Sequence, residues 1–253
     1  MKIIISPAKK MNIDTDSLAW RDLPAFLPQT EEILEKLRGM DYESLKKLWK
    51  CNDKIAVQNV ERLEHMDLRK RLTPAILAYE GIQYQYMAPA VFSDKEYDYI
   101  QEHLRILSGF YGVLKPFDGV VPYRLEMQAK LQIDDAKDLY RYWDSKLADQ
   151  LVAETDCIIN LASKEYSSAV AKYLPDDVQM ITCVFGEEVN GKIVEKGTLC
   201  KMARGEMVRR MAEQNVETPN ELKNLQLSNY QFAEDLSDER NYVFLLKHSS
   251  TDC

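Results

Sequence analysis

Histidine and cysteine are scarce in this chain and nowhere arranged to hold a metal. The three histidines stand at 65, 103 and 248, and the five cysteines, at 51, 157, 183, 200 and 253, contain no C-x-x-C pair. Zinc sites are built from such residues at short, repeated spacings, so no metal and no cofactor is expected. The odd, scattered cysteine count gives no disulfide framework either. Cys157 and Cys183 fall inside apolar runs, where a reduced, buried thiol is the rule. Cys51 qualifies as a redox sensor only if it is exposed beside the cations Lys50 and Lys54. No apolar run approaches the roughly 18 residues that a membrane-crossing helix needs. The opening MKIIIS is too short an apolar start for a signal peptide. A cytoplasmic protein without a membrane partner is therefore expected. G-x-S-x-G, P-loop and G-x-G-x-x-G patterns are all missing, which removes the commonest acyl-transfer, nucleotide-hydrolysis and dinucleotide machinery.

A cationic excess is missing as well. Lysine and arginine total 33 against 41 aspartates and glutamates, a net charge of −8. That balance argues against nonspecific attraction to nucleic acid, so only a local patch can serve anionic partners. The segment 201–210 is such a patch, and 213–240 is predominantly acidic.

What is present suits one mixed α/β unit of 253 residues, 45% hydrophobic and 29% charged, with no linker, repeat or low-complexity segment. A mixed sheet with flanking helices and an inserted helical subdomain over 29–66 is expected. Ile3–Ile5 and Cys157–Leu161 read as buried strands, and 74–79 reads as a short strand ending at Gly81. Apolar spacing predicts three helices between 29 and 65, the last two forming a hairpin around 50–53. Ser93 starts a helix that runs through His103, with Asp94 and Glu96 at its positive end. One long amphipathic helix is predicted over 137–153, with Leu139, Trp143, Leu147 and Leu151 inward. Asn190-Gly191 predicts a hairpin turn between strands over 178–185 and 192–199. A helix over 201–214 and a strand over 242–246 close the pattern.

Candidate chemistry gathers in a few places. Residues 107–127 hold three of the nine glycines and two of the nine prolines beside Tyr111, Lys115, Tyr123 and Arg124. Glycine allows close backbone approach and proline fixes chain direction. Such a stretch fits a site on a shaped backbone, and equally a tight connection between strands. IIISPAK at 3–9 and IINLASK at 158–164 are two apolar strands, each followed by small residues and then a lysine. If the strands are parallel neighbours, Lys9 and Lys164 converge where open α/β sheets bind ligands, with Ser6 or Ser163 capping a following helix. The alternative is two ordinary strand-to-helix turns with solvated lysines. Around KMARGEMVRR at 201–210, Cys200, Ala203, Met207 and Met211 form an inward stripe. Arg204 borders it, with Lys201 and Arg209 on the other side. Arg124 and Glu126 share a face if 123–127 is a strand. Glu126, Glu165 and Tyr166 are candidates for acid/base work.

Taken together, ISPAK at 5–9, LSGFYGVLKPFD at 107–118, PYRLEM at 122–127, INLASKEY at 159–166, KMARG at 201–205 and the closing 230–246 resemble the YaaA family of peroxide-stress proteins. The resemblance implies a cytoplasmic bacterial protein that limits damage from hydrogen peroxide and is associated with lowered free iron. It further implies an α/β fold with a positively charged cleft, a helix-hairpin-helix element and binding to DNA, double-stranded included. Here that element falls at 41–62. Its turn has no glycine, so Lys50 and Lys54 would serve as point charges in place of backbone N–H groups. The cleft set carried over is Lys9, Arg124, Lys164, Lys201 and Arg204, with Lys10, Lys115 and Arg209 as further anion-binding candidates. Two other readings remain open. The same cations can anchor a small phosphorylated or nucleotide-like substrate for an enzyme. Glu234, Asp235 and Asp238 can bind a hard cation weakly, though solvation is their ordinary role.

Overall fold

Four consecutive residues, Lys2 to Ile5, are buried from end to end, and such a run is what a strand covered on both faces requires. In the computed structural model, which describes residues 1–247, this run is the pivot of an eight-stranded sheet. The strands are β1 (Lys2–Ile5), β2 (Lys10–Met11), β3 (Thr73–Pro74), β4 (Tyr79–Glu80), β5 (Leu104–Ser108), β6 (Gly112–Leu114) and β7 (Gly119–Val120), then β8 (Cys157–Leu161), β9 (Gln179–Val189), β10 (Lys192–Val194), β11 (Tyr230–Phe232) and β12 (Asn241–Leu246). The sheet runs β11-β12-β9-β8-β1-β5-β6, with β10 paired to β9. From β12 to β5 every pairing is parallel; β11, β10 and β6 are antiparallel additions.

Numbered along the chain, the parallel strands lie in the spatial order 2-1-3-4-5. The chain leaves β1 for β5 on one side and later returns to β8 on the other. That reversal opens a crevice at the carboxyl ends of β1 and β8, the place where doubly wound sheets bind ligands. The register Ile5↔Leu161 brings the two strand exits side by side.

The principal helices are α1 (Leu27–Arg38), α2 (Tyr42–Trp49), α3 (Asp53–His65), α4 (Ala75–Ala78), α5 (Ile82–Met87), α6 (Asp94–His103), α7 (Leu139–Trp143), α8 (Lys146–Val152), α9 (Lys164–Ala171), α10 (Gly197–Gln214) and α11 (Pro219–Leu222). Asp41 and Asn52 cap α2 and α3, accepting from Ser44 N and Ile55 N. Ser93 and Glu96 close a capping box on α6. α10 packs on α5, α6 and β9. At Gly205 the contact with α5 is so tight that a Cβ would lie 2.0 Å from the Gln83 carbonyl oxygen. No described helix is long and apolar enough to cross a membrane.

Several sequence expectations are corrected. Residues 74–79 form the turn of helix α4 between two short strands, because β3 and β4 pair with separate partners, β7 and β2. The predicted helix over 137–153 breaks at Asp144, whose φ of 46° is left-handed. The break lets Trp143 bury fully and donate from Nε1 to the Gly109 carbonyl, while Leu147 and Leu151 still point inward from α8. The strand expected over 192–199 stops at Val194, and α10 begins at Gly197. Residues 123–127 are not a strand, although Arg124 Nη2 and Glu126 Oε1 still approach to 3.9 Å.

Among the cysteines, Cys183 and Cys200 are buried and Cys157 is half-buried. Burial pushes the Cys183 thiol up to about 12. Cys51 is half-buried against the core, short of the exposure a redox sensor requires. His248 and Cys253 lie outside the described residues.

Candidate functional site

A cavity of about 400 Å³ fills the crevice between β1 and β8. Its walls come from five separated segments: the β1 exit through Lys10, Glu80 to Tyr84, Tyr123 to Glu126, the start of α9, and the first half of α10. The two strand exits are joined directly. Ser6 Oγ accepts from Ser163 N at 2.8 Å and donates to Ser163 Oγ at 3.2 Å, while Tyr84 donates its hydroxyl to the Ser6 carbonyl at 3.0 Å. Ser163 stands at the N-cap position of α9, but its hydroxyl makes no cap bond because Ser6 occupies it. Ser6 caps nothing, since the chain after it enters β2 and not a helix.

The glycine-rich stretch is the scaffold beneath this cavity. Ser108 Oγ accepts from Phe110 N and Tyr111 N and pairs with the Tyr123 hydroxyl at 2.7 Å, which in turn meets the Tyr79 hydroxyl at 2.9 Å. A Cβ on Gly109 would come within 3.0 Å of the backbone of Glu126 and Met127. Tyr111 is buried, and its hydroxyl accepts from Val121 N. These contacts set the path of residues 123–127, and Arg124 and Glu126 project from that path into the cavity.

The distinctive electrostatic feature is a group of buried donors without acceptors. Gln83 is 7% exposed, and the side chains of Arg124 and Arg204 are 12% and 14% exposed. Among the described residues, Gln83 Nε2, Arg124 Nε and Arg204 Nε have no hydrogen-bond partner in the protein. Leaving a buried donor unpaired costs about 1–3 kcal/mol, more when it is charged. Arg204 Nη2 reaches only to 3.7 Å from Glu195 Oε1, too long for a hydrogen bond. Lys201 adds a further cation to the same wall.

Two carboxylates face these donors. Glu126 forms an ion pair with Lys9 Nζ at 2.8 Å and accepts from Gln128 Nε2 at 3.3 Å. Glu165 accepts from the backbone N–H of the same Gln128 at 3.2 Å. Burial, with the Glu126 charge adding to it, raises the Glu165 carboxyl above its ordinary value, and Lys9 opposes the rise. Burial lifts the Tyr166 hydroxyl far above the usual range and the Tyr123 hydroxyl to about 12. Both phenols therefore serve as hydrogen-bonding groups and not as bases near neutral pH.

The structure brings Lys9, Lys10, Arg124, Lys201, Arg204, Glu126, Glu165 and Tyr166 to one cavity. Lys9 and Lys10 are engaged at its mouth by Glu126 and Glu80, the latter at 2.6 Å. Other candidates lie elsewhere. The strand exits meet as parallel neighbours, but Lys164 opens α9 on its exposed side, outside the cavity. Lys115 follows β6, which runs antiparallel to β5 and so carries it toward the opposite end of the sheet. Arg209 sits five residues beyond Arg204, roughly 7 Å further along the helix, and pairs with Glu213 at 2.7 Å. Lys54 is exposed in the first turn of α3. Lys50 adopts a left-handed φ of 46° and spends its N–H on the Lys47 carbonyl, so that group is not free to grip phosphate. It nevertheless borders Arg124 and Glu126 from behind, in a small recess with Trp49 and Gln128.

Glu234, Asp235 and Asp238 do not form a cation cage. Glu234 faces Lys223 at 3.4 Å, and Asp238 accepts from Arg240 N and Asn241 N. Among the described residues no group of three or more His, Cys, Asp or Glu is arranged to hold a metal. Sequence reasoning missed Gln83 and Tyr84. The available signal was Gly205, whose missing side chain marks a helix pressed against α10.

Residues 1–236 match the family described as peroxide stress protein YaaA. A UPF0246 protein of Agathobacter rectalis is 57% identical over 96% of this chain and 98% of its own length. UPF0246 proteins of Lachnoclostridium phytofermentans and Pediococcus pentosaceus are 53% and 54% identical, over 99% and 97% of this chain and 98% of each relative.

Proposed function

The chain belongs to the family of the peroxide stress protein YaaA, and from that premise we propose that it protects against hydrogen peroxide by binding DNA. The cavity rim and the α2–α3 hairpin behind it hold the sugar-phosphate backbone without reading base sequence. The observation that carries this reading is the trio of buried, unpaired donors on Gln83, Arg124 and Arg204. Guanidinium donors in a concave site are matched by an oxygen-rich anion, and phosphate is one whose oxygens arginine can hold with two parallel bonds. A local cluster of this kind reconciles phosphate binding with a net charge of −8. A cytoplasmic location and a lowering of free iron belong to the same reading, the latter as an effect without a metal site of its own.

Titrating a labelled duplex at increasing salt tests it. Affinity should fall with a log–log slope of about −0.9 per phosphate contact. Arg204→Ala should weaken duplexes of every sequence alike. Absence of binding at about 50 mM salt, or binding indifferent to salt, would remove the proposal.

A second reading is favoured by the carboxylates. Backbone binding needs cations alone, yet Glu126 and Glu165 stand in the same cavity, bonded to one Gln128. The arrangement suits an enzyme acting on a small phosphorylated or nucleotide-like substrate.

A further inference from the structure

Glu126 and Glu165 are two carboxyl groups that line one cavity with different partners. Glu126 has Lys9 Nζ at 2.8 Å and the Arg124 guanidinium at 3.9 Å, so two cations stand beside its carboxylate. Glu165 accepts from the backbone N–H of Gln128, is half-buried, and faces the Glu126 charge. The charged groups that bear on it are Glu126, which raises its proton affinity, and Lys9, which lowers it; the Tyr166 ring packs beside it without ionising. Such a division between neighbouring carboxyls marks an acid and a base. The acceptor-seeking donors on Arg124, Arg204 and Gln83 lie in the same cavity, so an anionic group can anchor next to the pair.

The cavity, about 400 Å³, falls at the small end of ligand sites, which span about 300–1,000 Å³. One nucleotide suits that volume. A stacked duplex meets only the rim with its backbone, and a nucleotide of a strand enters only when swung out of the stack. Cleavage of a phosphate ester would set two carboxylates against the transferring phosphoryl oxygens. A bond next to the phosphate, but not of it, lets the cations hold the anion while the carboxyls act elsewhere.

Resting on the second reading above, we propose that the cavity hydrolyses the N-glycosidic bond of a single nucleotide, with Glu126 as the base and Glu165 as the acid. Glu126 takes a proton from water as its oxygen bonds to C1′. The C1′–N bond breaks, its electron pair stays on the base nitrogen, and Glu165 delivers a proton to the departing base. The products are the free base and a sugar phosphate bearing a hydroxyl at C1′, with no net oxidation. Arg124, Arg204 and Lys201 hold the phosphate, and Gln83, packed beside Arg204 where α5 meets α10, hydrogen-bonds the substrate.

The nucleotide can be free or part of a DNA strand, and two arms separate these sources. In one, the eight common ribo- and deoxyribonucleoside 5′-monophosphates are incubated with the protein and free base is measured by chromatography. In the other, duplex DNA is incubated and alkali-labile abasic sites are counted. Base release in either arm is expected, falling at least 100-fold in Glu126→Gln and Glu165→Gln, the scale of one lost acid or base. Glu165→Gln should also abolish the alkaline limb of the pH–rate profile, which a merely structural role would leave in place. Lys201→Ala, at an exposed position, should raise KM with kcat nearly unchanged. Thermal shift with the same monophosphates supplies the control. A shift without base release in either arm overturns the hydrolysis and leaves phosphate binding standing. Absence of both shift and release overturns the hydrolysis and the substrate reading beneath it.

Discussion

Gly205 and Gln83 touch through their backbones, α10 lying on α5 where any side chain at 205 would meet the Gln83 carbonyl oxygen at 2.0 Å. Replacing a mid-helix glycine by alanine ordinarily stabilises by roughly 0.5–1 kcal/mol. Here Gly205→Ala should reverse that sign and destabilise by about 1–3 kcal/mol, the usual cost of overpacking. Urea denaturation measures it. Phosphate-dependent thermal stabilisation should fall in the same variant, because Arg204 and Gln83 move together.

Arg204 illustrates a conflict between binding and stability. Its guanidinium is mostly buried with Nε unpaired, and its nearest carboxylate, Glu195, is half-exposed and would tolerate its loss. Arg204→Leu should therefore keep or raise Tm, since an apolar side chain avoids the cost of a poorly paired charge. The same variant should lose its thermal shift with nucleoside monophosphates. A large drop in Tm would show that Arg204 is structural.

Asp118 offers a pH-dependent case away from the cavity. It is buried, accepts from Lys115 N, and burial raises its carboxyl to about 7. A folded-state value above the unfolded one means that stability is fully present below about 4 and is lost as pH rises through about 7. Asp118→Asn should thus stabilise at pH 8, by a few kcal/mol at most, with little gain at pH 4. Thermal melts across that range read out the crossover.

Asp144 holds φ 46° and ψ −127°, a region that costs a non-glycine residue on the order of 1–3 kcal/mol. Asp144→Gly should recover about 1 kcal/mol of that strain, reduced by the extra freedom glycine has in the unfolded chain. Chemical denaturation should show a higher midpoint with an unchanged slope. A lower midpoint would mean that the Asp144 side chain contributes more than its backbone strain takes away.

The legible parts of this molecule are those whose physics is local. Ile3 to Ile5 is apolar throughout, and Cys157 to Leu161 is so but for Asn160, because the strands are covered on both faces, and Asn190-Gly191 turns as its left-handed φ angles of 52° and 72° require. The inward stripe on α10 was legible too, since Cys200, Ala203, Met207 and Met211 are all buried. What escaped was set by distant partners. The break at Asp144 exists so that Trp143 can reach Gly109, and 74–79 turns helical because its flanks pair with different strands. Lys9 and Lys164 follow similar strand exits, yet one enters a loop toward β2 and the other a helix. Gln83 carries no pattern of its own; only the position of α10 makes it part of the cavity.

The Ser6–Ser163 bridge has a consequence in time. Its partners are 157 residues apart in sequence, and the wall bearing Arg204 comes later still. A ribosome must have made four-fifths of the chain before the pocket exists at all. A nascent or truncated polypeptide is therefore inert toward the anions the finished protein holds, and capture begins only once β1 has found neighbours distant in sequence on both sides, a slow class of folding event.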